Sequence, residues 1–480
     1  MKTFIGIFCV LAWVMLASAQ APDTLWTRTF GGSYYDWAES VQQTADGGYI
    51  VAGYTYSFGA GGEDFFLVKT NAQGDALWTH TYGGLRNDRA ASVQQTADGG
   101  YIVAGFTDSF GAGGTDFYLV KTNPQGDTLW TRAYGGGRTD VANSVQQTAD
   151  GGYIVAGYTA SYGAGLGDFY VVKTTAQGDT LWTRTYGGSG GEEAFSIQQT
   201  TDGGYIIAGL TSSFGAGGAD FFLVRTNAQG DTLWTHTYGG SDLDMATSVR
   251  QTTDGGFIIA GTTWSYNASG EDFFLVKTNA HGDTLWTRTY GGSNWDDAFS
   301  AQQTADGGFI VAGRTLNVGE GAGSDFFLVK TNAQGDTMWT CSYGGDGAHS
   351  VQQTADGGYI VAGGIWFSGT YYMYLVKTAP DPMNVERKPA SLPNLFTLHP
   401  NFPNPFNPTT QIAYELPQTE RVTMKVFNLM GENIATLVDG MQTAGSHTTV
   451  FDGSGLASGV YFYSMQTAGF VQTRKMMLLK

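Results

Sequence analysis

Seven acidic residues recur at near-constant spacing along the chain: Asp36, Asp88, Asp140, Glu192, Asp244, Asp296 and Asp346. A ring of carboxylates is hard-oxygen chemistry and suits a cation such as calcium, the one cofactor the sequence raises. Each also follows a Gly-Gly pair, so each can instead cap its own loop by accepting backbone N–H bonds, which is the simpler expectation. Glycosidase or lyase chemistry would need two placed carboxylates, or a Tyr, His or Arg group, on one open face. The histidines do not supply it. His80 and His236 stand where Arg28 stands, His281 replaces a turn Gln, His349 precedes a strand, and His399 and His447 lie near the C-terminus. What does vary among otherwise similar segments is aromatic and polar: Tyr34, Tyr35, Trp37, Trp264, Tyr266, Trp295, Arg314 and Trp366. Flat rings beside hydrogen-bonding groups suit a sugar ring or a protein partner. Packing of some of these rings between loops is the alternative.

The elements that must hold these residues are repeats. In residues 92–136, four β-like runs are separated by turn signals: Ser92 to Thr96, Tyr101 to Thr107, Asp116 to Thr122 and Thr128 to Tyr134. The second and third are almost continuously apolar, as in strands covered on both faces. A Trp recurs at 26, 78, 130, 182, 234, 286 and 339, at intervals of 52 residues and once 53. Four strands per copy at that period predict a β-propeller of seven blades. The first copy opens with only a last strand, Thr24 to Phe30, and the seventh stops after a third, Tyr372 to Thr378. A three-plus-one closure would leave no broken blade. Up-and-down connectivity then puts the nearly invariant TADGG and NAQGD turns on one face. The variable loops, such as Ser33-Tyr34-Tyr35 and Leu85-Arg86-Asn87, fall on the other, where a site is expected.

Composition agrees with an all-β chain: Gly is 71 of 480 residues, and aromatic and charged residues are 14% each. The formal charge of −18 and the lack of a basic cluster exclude a nucleic-acid partner. Residues 1–19 read as a secretory signal cleaved after Ala19. Cys9 is lost with it, which leaves Cys341 without an intrachain partner. No later stretch is apolar enough to span a membrane. Residues 20–378 form the propeller and 379–395 a Pro-rich linker. Residues 396–480 offer further short strands, Gln411 to Leu416, Val422 to Asn428, Ser446 to Asp452, Gly459 to Met465 and Phe470 to Leu479, as in a small β-sandwich.

That last segment carries Asn401-Phe402-Pro403-Asn404-Pro405-Phe406-Asn407-Pro408, Leu429-Met430-Gly431-Glu432, Leu456 to Tyr463 and Lys475 to Lys480. In these motifs it resembles the type A C-terminal sorting domain of the bacterial type IX secretion system. The resemblance implies an Ig-like sandwich recognised by the outer-membrane translocon, then release or surface attachment, in a Bacteroidetes-like bacterium. The repeats, through Tyr-Gly-Gly, Asp-Gly-Gly-Tyr, Ala-Gly and Asp-Phe-x-x-Lys, resemble bacterial extracellular β-propeller repeats, which implies no particular function. Gly-x-x-x-Trp, as in Gly74 to Trp78, is similar to the tryptophan-docking motif of quinoprotein dehydrogenases. Those enzymes generally have eight blades and need calcium and quinone ligands, for which these copies show no clustered residues. The expectation is therefore a secreted or surface-attached, non-catalytic binding or adhesion propeller for an extracellular glycan or protein. A carbohydrate-active enzyme using the same face is the alternative.

Overall fold

The repeat unit folds as a four-stranded antiparallel sheet. In the first sheet the strands Asp36–Gln43, Tyr49–Thr55, Asp64–Thr70 and Ala76–Tyr82 pair in chain order from the inside outward. The computed structural model describes residues 20–381 and 396–478, apart from 267–269, 293–294, 317–323, 400, 402–403, 405 and 444. Residues 1–19, expected to be a signal, most of the expected linker, part of the Asn401 to Pro408 motif and residues 479–480 lie outside the described residues. Every regular element among those described is a strand. The chain divides into two compact units, between Pro382 and Met383.

The first unit holds seven four-stranded sheets. Six are consecutive in the chain. The seventh combines Ala348–Gln353, Tyr359–Phe367 and Thr370–Thr378 with the N-terminal strand Thr24–Phe30, which pairs antiparallel to Thr370–Thr378. A linear stack of seven sheets has six interlayers, whereas here there are seven apolar cores. The additional core joins Ala38, Val41 and Val51 of the first sheet to Ile360, Ala362 and Leu375 of the seventh, so the layers close on themselves. The sequence pattern explains the layering. Tyr49–Thr55 and Asp64–Thr70 are buried almost throughout, whereas the outer strand Ala76–Tyr82 alternates.

Adjacent sheets are fastened at their outer edges by the recurring Trp. Trp26 of the seventh sheet meets Tyr49 of the first edge-on, with ring centroids 5.7 Å apart, and Trp78 meets Tyr101 in the same way at 5.8 Å. Gly74, at φ +80°, lies under Trp26, and a Cβ there would come within 2.7 Å of the indole. This explains the invariant Gly of the NAQGD turn. Arg28 then reaches across the same seam to Asp75 at 3.0 Å.

In the first six sheets the inner strand starts four residues earlier than its sequence suggests, at Asp88 rather than Ser92 in the second sheet, and in the seventh two residues earlier, at Ala348. A bulge between Ala90 and Ser92 breaks the alternation that would have revealed it.

The second unit has a three-stranded sheet, Thr397–Leu398, Thr409–Leu416 and Gly445–Asp452, and a four-stranded one in the order Asn433–Gln442, Glu420–Phe427, Gly459–Gln466 and Val471–Leu478. Both sheets contribute to one core that includes Ile412, Tyr414, Met424, Val426, Phe451 and Tyr463. Asn433–Gln442 went unread in the sequence because it is nowhere fully buried and has no clear period of two.

Deleting residues 20–32 should lower the melting temperature of the entire first unit, because it uncovers Thr370–Thr378 and removes Trp26 from the closing seam. Calorimetry on the deletion variant checks this; an unchanged melting temperature would contradict closure.

Candidate functional site

The two ends of the sheets differ in what their loops are used for. At the end carrying the invariant turns, Thr44 and the Gly48 N–H donate to Asp46, and the buried Lys69 ammonium lies 2.9 Å from it. Burial alone would raise the Asp46 pKa, but these bonds outweigh it and hold the carboxyl at about 2. At the other end, the recurrent acid opens the inner strand and caps its own loop in six sheets, whereas Asp346 lies before the strand Ala348–Gln353 and accepts from the Tyr371 hydroxyl instead. Asp36 accepts from the Gly32 N–H at 2.7 Å, from Ser57 Oγ at 2.8 Å and from the Thr55 hydroxyl. Asp140 repeats this with Gly136, Ser161 and Thr159. Among the described residues, no group of three or more His, Cys, Asp or Glu converges as metal ligands would.

On this variable end the candidate residues fall into two patches. The first lies at the closing seam. In the seventh sheet the Gly-rich loop is replaced by a tight turn at Ser368-Gly369, so Tyr359–Phe367 and Thr370–Thr378 run on as a hairpin. Cross-strand partners Trp366 and Tyr371 pack with centroids 5.0 Å apart. Tyr35 of the first sheet stacks on Tyr371 at 5.6 Å and approaches Trp366 at 6.3 Å, with Tyr56 behind it at 6.4 Å. Trp37 lies deeper, 5.1 Å from Tyr371, over Gly364, whose absent side chain makes room for the indole. Tyr35 and Trp366 remain about half exposed, at 49% and 52%. Tyr34 is still more exposed, and its backbone N–H binds Ser57 Oγ. The Tyr371 hydroxyl donates to Asp346, and burial together with that carboxylate pushes the phenol up to about 12. Below the rings, His349 Nδ1 is 2.7 Å from Glu39, and its ring stacks on Phe299 at 4.5 Å.

The second patch spans the seam between the fifth and sixth sheets. Trp264 and Trp295, both about half exposed, lie 6.3 Å apart. Beside them Arg314 Nε donates to Asp297 at 2.6 Å, and Thr262 Oγ1 donates to Asp297 at 3.2 Å. Glu271 hydrogen-bonds to Asp297 and accepts from the Trp264 indole. Burial first, then the neighbouring Asp297, raises Glu271 to about 7, with Arg314 opposing. Two carboxyls in contact cannot both ionise cheaply, which favours the protonated form of Glu271.

Tyr266 joins neither patch. Its ring packs on Phe274 at 5.1 Å and its hydroxyl donates to the Gly239 carbonyl, as Tyr162 does with Tyr170 and Gly135. Glu271 and Asp297 were not singled out by sequence reasoning. Their signal lay in the comparison of copies: the position of Asp297 reads Trp37, Arg89, Val141, Glu193 and Met245 elsewhere, and that of Glu271 reads Glu63, Thr115, Gly167 and Ala219.

Comparison with known proteins bears on each unit. Residues 401–479 match the secretion system C-terminal sorting domain, and residues 44–76 match a β-propeller domain of unknown function, DUF5122. The C-terminal unit therefore carries a type IX sorting domain, and the protein is exported, to be secreted or held at the cell surface. The regulatory protein FlaEY of Caulobacter vibrioides is 26% identical over 322 residues, a match that covers 54% of this chain and 32% of that one. Among solved structures, PorZ, a surface component of the type IX secretion system of Porphyromonas gingivalis, is 11% identical with a TM-score of 0.43, over 94% of this chain and 60% of that one. Fructan 1-exohydrolase IIa of Cichorium intybus is 8% identical with a TM-score of 0.25, over 96% of this chain and 90% of that one. The chain thus spans about a third of FlaEY and 60% of PorZ. No helix among the described residues is long and apolar enough to cross a membrane.

The carboxyl pair gives a signed pH dependence. Glu271 is raised above its unfolded value, so its contribution to stability is complete below about pH 4.5 and is lost as pH rises through about 7. Melting temperatures measured from pH 4 to 9 should show this loss in the native protein, and Glu271→Gln should remove it.

Proposed function

We propose that the chain is a seven-bladed β-propeller, released from its signal after Ala19 and carried to the type IX translocon by an Ig-like sandwich at residues 396–480. Its variable end is a non-catalytic binding face for an extracellular carbohydrate or protein. The observation that carries this reading is the packed group at the closing seam in which Tyr35 and Trp366 stay half exposed against the partly buried Tyr371, leaving apolar surface in water. A carbohydrate fits best, because at the second patch the flat rings of Trp264 and Trp295 stand beside the polar groups Arg314, Asp297 and Glu271 rather than on a broad apolar plane.

The Glu271 and Asp297 pair favours a second reading, a carbohydrate-active enzyme in which protonated Glu271 serves as the acid. A reducing-sugar assay on any bound glycan separates the two, since only the enzyme releases new ends.

The test of the binding reading is a glycan array with the mature chain, alongside a variant with Trp264, Trp295 and Trp366 all replaced by Ala. Each anchoring ring removed should cost about 1–3 kcal/mol of affinity while the melting temperature stays near native. Unchanged affinity for an array hit would place binding elsewhere on the molecule.

A further inference from the structure

The central channel holds a charge that none of the preceding roles uses. The second-last residue of the inner strand is Gln in six sheets, Gln42, Gln94, Gln146, Gln198, Gln302 and Gln352, and Arg250 in the fifth. Each Gln Oε1 accepts the backbone N–H of the last inner-strand residue in the next sheet, at 2.6–2.8 Å. A backbone N–H can only donate, so the amide oxygen must face it, and every Nε2 is left to the channel. The serine two residues earlier is committed in the same sense. Ser196 Oγ, for example, accepts the Val249 N–H at 3.2 Å, which leaves the hydroxyl proton to be given elsewhere. The glutamine amides therefore form a belt of donors, in a wall that also carries acceptors: the Val249 carbonyl accepts from Arg250, and the Ala301 carbonyl accepts from Ser248 Oγ at 3.5 Å.

Arg250 enters this belt at a cost. It has no acceptor, so it cannot make the bond to the Gln303 N–H that a Gln would make there. Its Nη1 donates to the Val249 carbonyl at 2.8 Å and to Ser196 Oγ at 3.2 Å. No Asp or Glu pairs with it among the described residues, although the protein as a whole carries a formal charge of −18. Enclosure away from bulk water pushes its pKa down, as expected of a cation without a countercharge. The space it shares with the glutamines measures about 240 Å³. At about 30 Å³ per water, that is room for a hydrated oxyanion.

We propose that Arg250 and the surrounding glutamine amides form an oxyanion site in the channel, taking a sulfate, phosphate or carboxylate group. Its occupancy is independent of whatever the variable end binds. Arg supplies the fixed positive fork, and the amides supply neutral donors that a metal cation would find repulsive.

The test uses the mature chain and Arg250→Gln, which installs the residue found in the other six sheets and restores the missing bond. Melting temperature is followed against sodium sulfate, sodium phosphate and sodium acetate at ionic strength matched with sodium chloride. A saturable rise with at least one oxyanion is expected in the native protein, together with its loss in Arg250→Gln, whose melting temperature without oxyanion should equal or exceed the native one. A response to acetate alone identifies a carboxylate site; a response to sulfate or phosphate identifies a tetrahedral one. The same saturable rise in Arg250→Gln, or none in the native protein, would overturn the proposal.

Discussion

The pairing of Thr24–Phe30 with Thr370–Thr378 is the contact on which the first unit depends. Without it the seventh sheet would present the unpaired edge of a long, largely buried strand, and the first sheet would lose Trp26 from its flank. With it, residues at opposite ends of the repeat array become neighbours. Tyr35 and Trp37 come from the start of the array and Trp366 and Tyr371 from its end, so the aromatic patch exists only because the layers close.

Repetition and variation then divide the molecule. Side chains that set the spacing between sheets hardly change: the outer Trp, the Tyr or Phe it meets, the Gly beneath it, and the Lys, replaced by Arg225 in the fourth sheet, that enters each Asp-Gly-Gly turn. A few strand-end positions at the opposite end are free of that duty. There the same backbone carries Arg89 over Tyr54 with Glu63 at one seam, and Asp297, Arg314 and Glu271 with two indoles at another. The scaffold fixes where a side chain stands and leaves its chemistry open, which is how near-identical sheets can hold distinct sites.

Much of this was legible in the sequence. The Trp period and turn signals gave strand boundaries for the second, third and outer strands that agree with the structure, because those strands are bounded by Gly- and Asp-rich turns. The role of six of the recurrent acids in their own loops was also readable from the preceding Gly-Gly, but Asp346, which follows the same pair, binds Tyr371 instead. The pairings within the site were not. Glu271 and Asp297 come from different sheets and Trp37 lies over Gly364 from the far end of the chain, relationships that no local pattern encodes. Tyr266 shows the converse limit: in composition it resembles Trp264, but its ring fills the place taken by Phe58 or Phe110 elsewhere.

Native-state hydrogen exchange on the mature chain tests ring closure most directly. Amides of Thr24–Phe30 that face Thr370–Thr378 should exchange only with global unfolding, at the rate of the buried strands Tyr49–Thr55 and Tyr359–Phe367. Exchange of Thr24–Phe30 at the rate of an unpaired terminus, while those strands stay protected, would contradict the account.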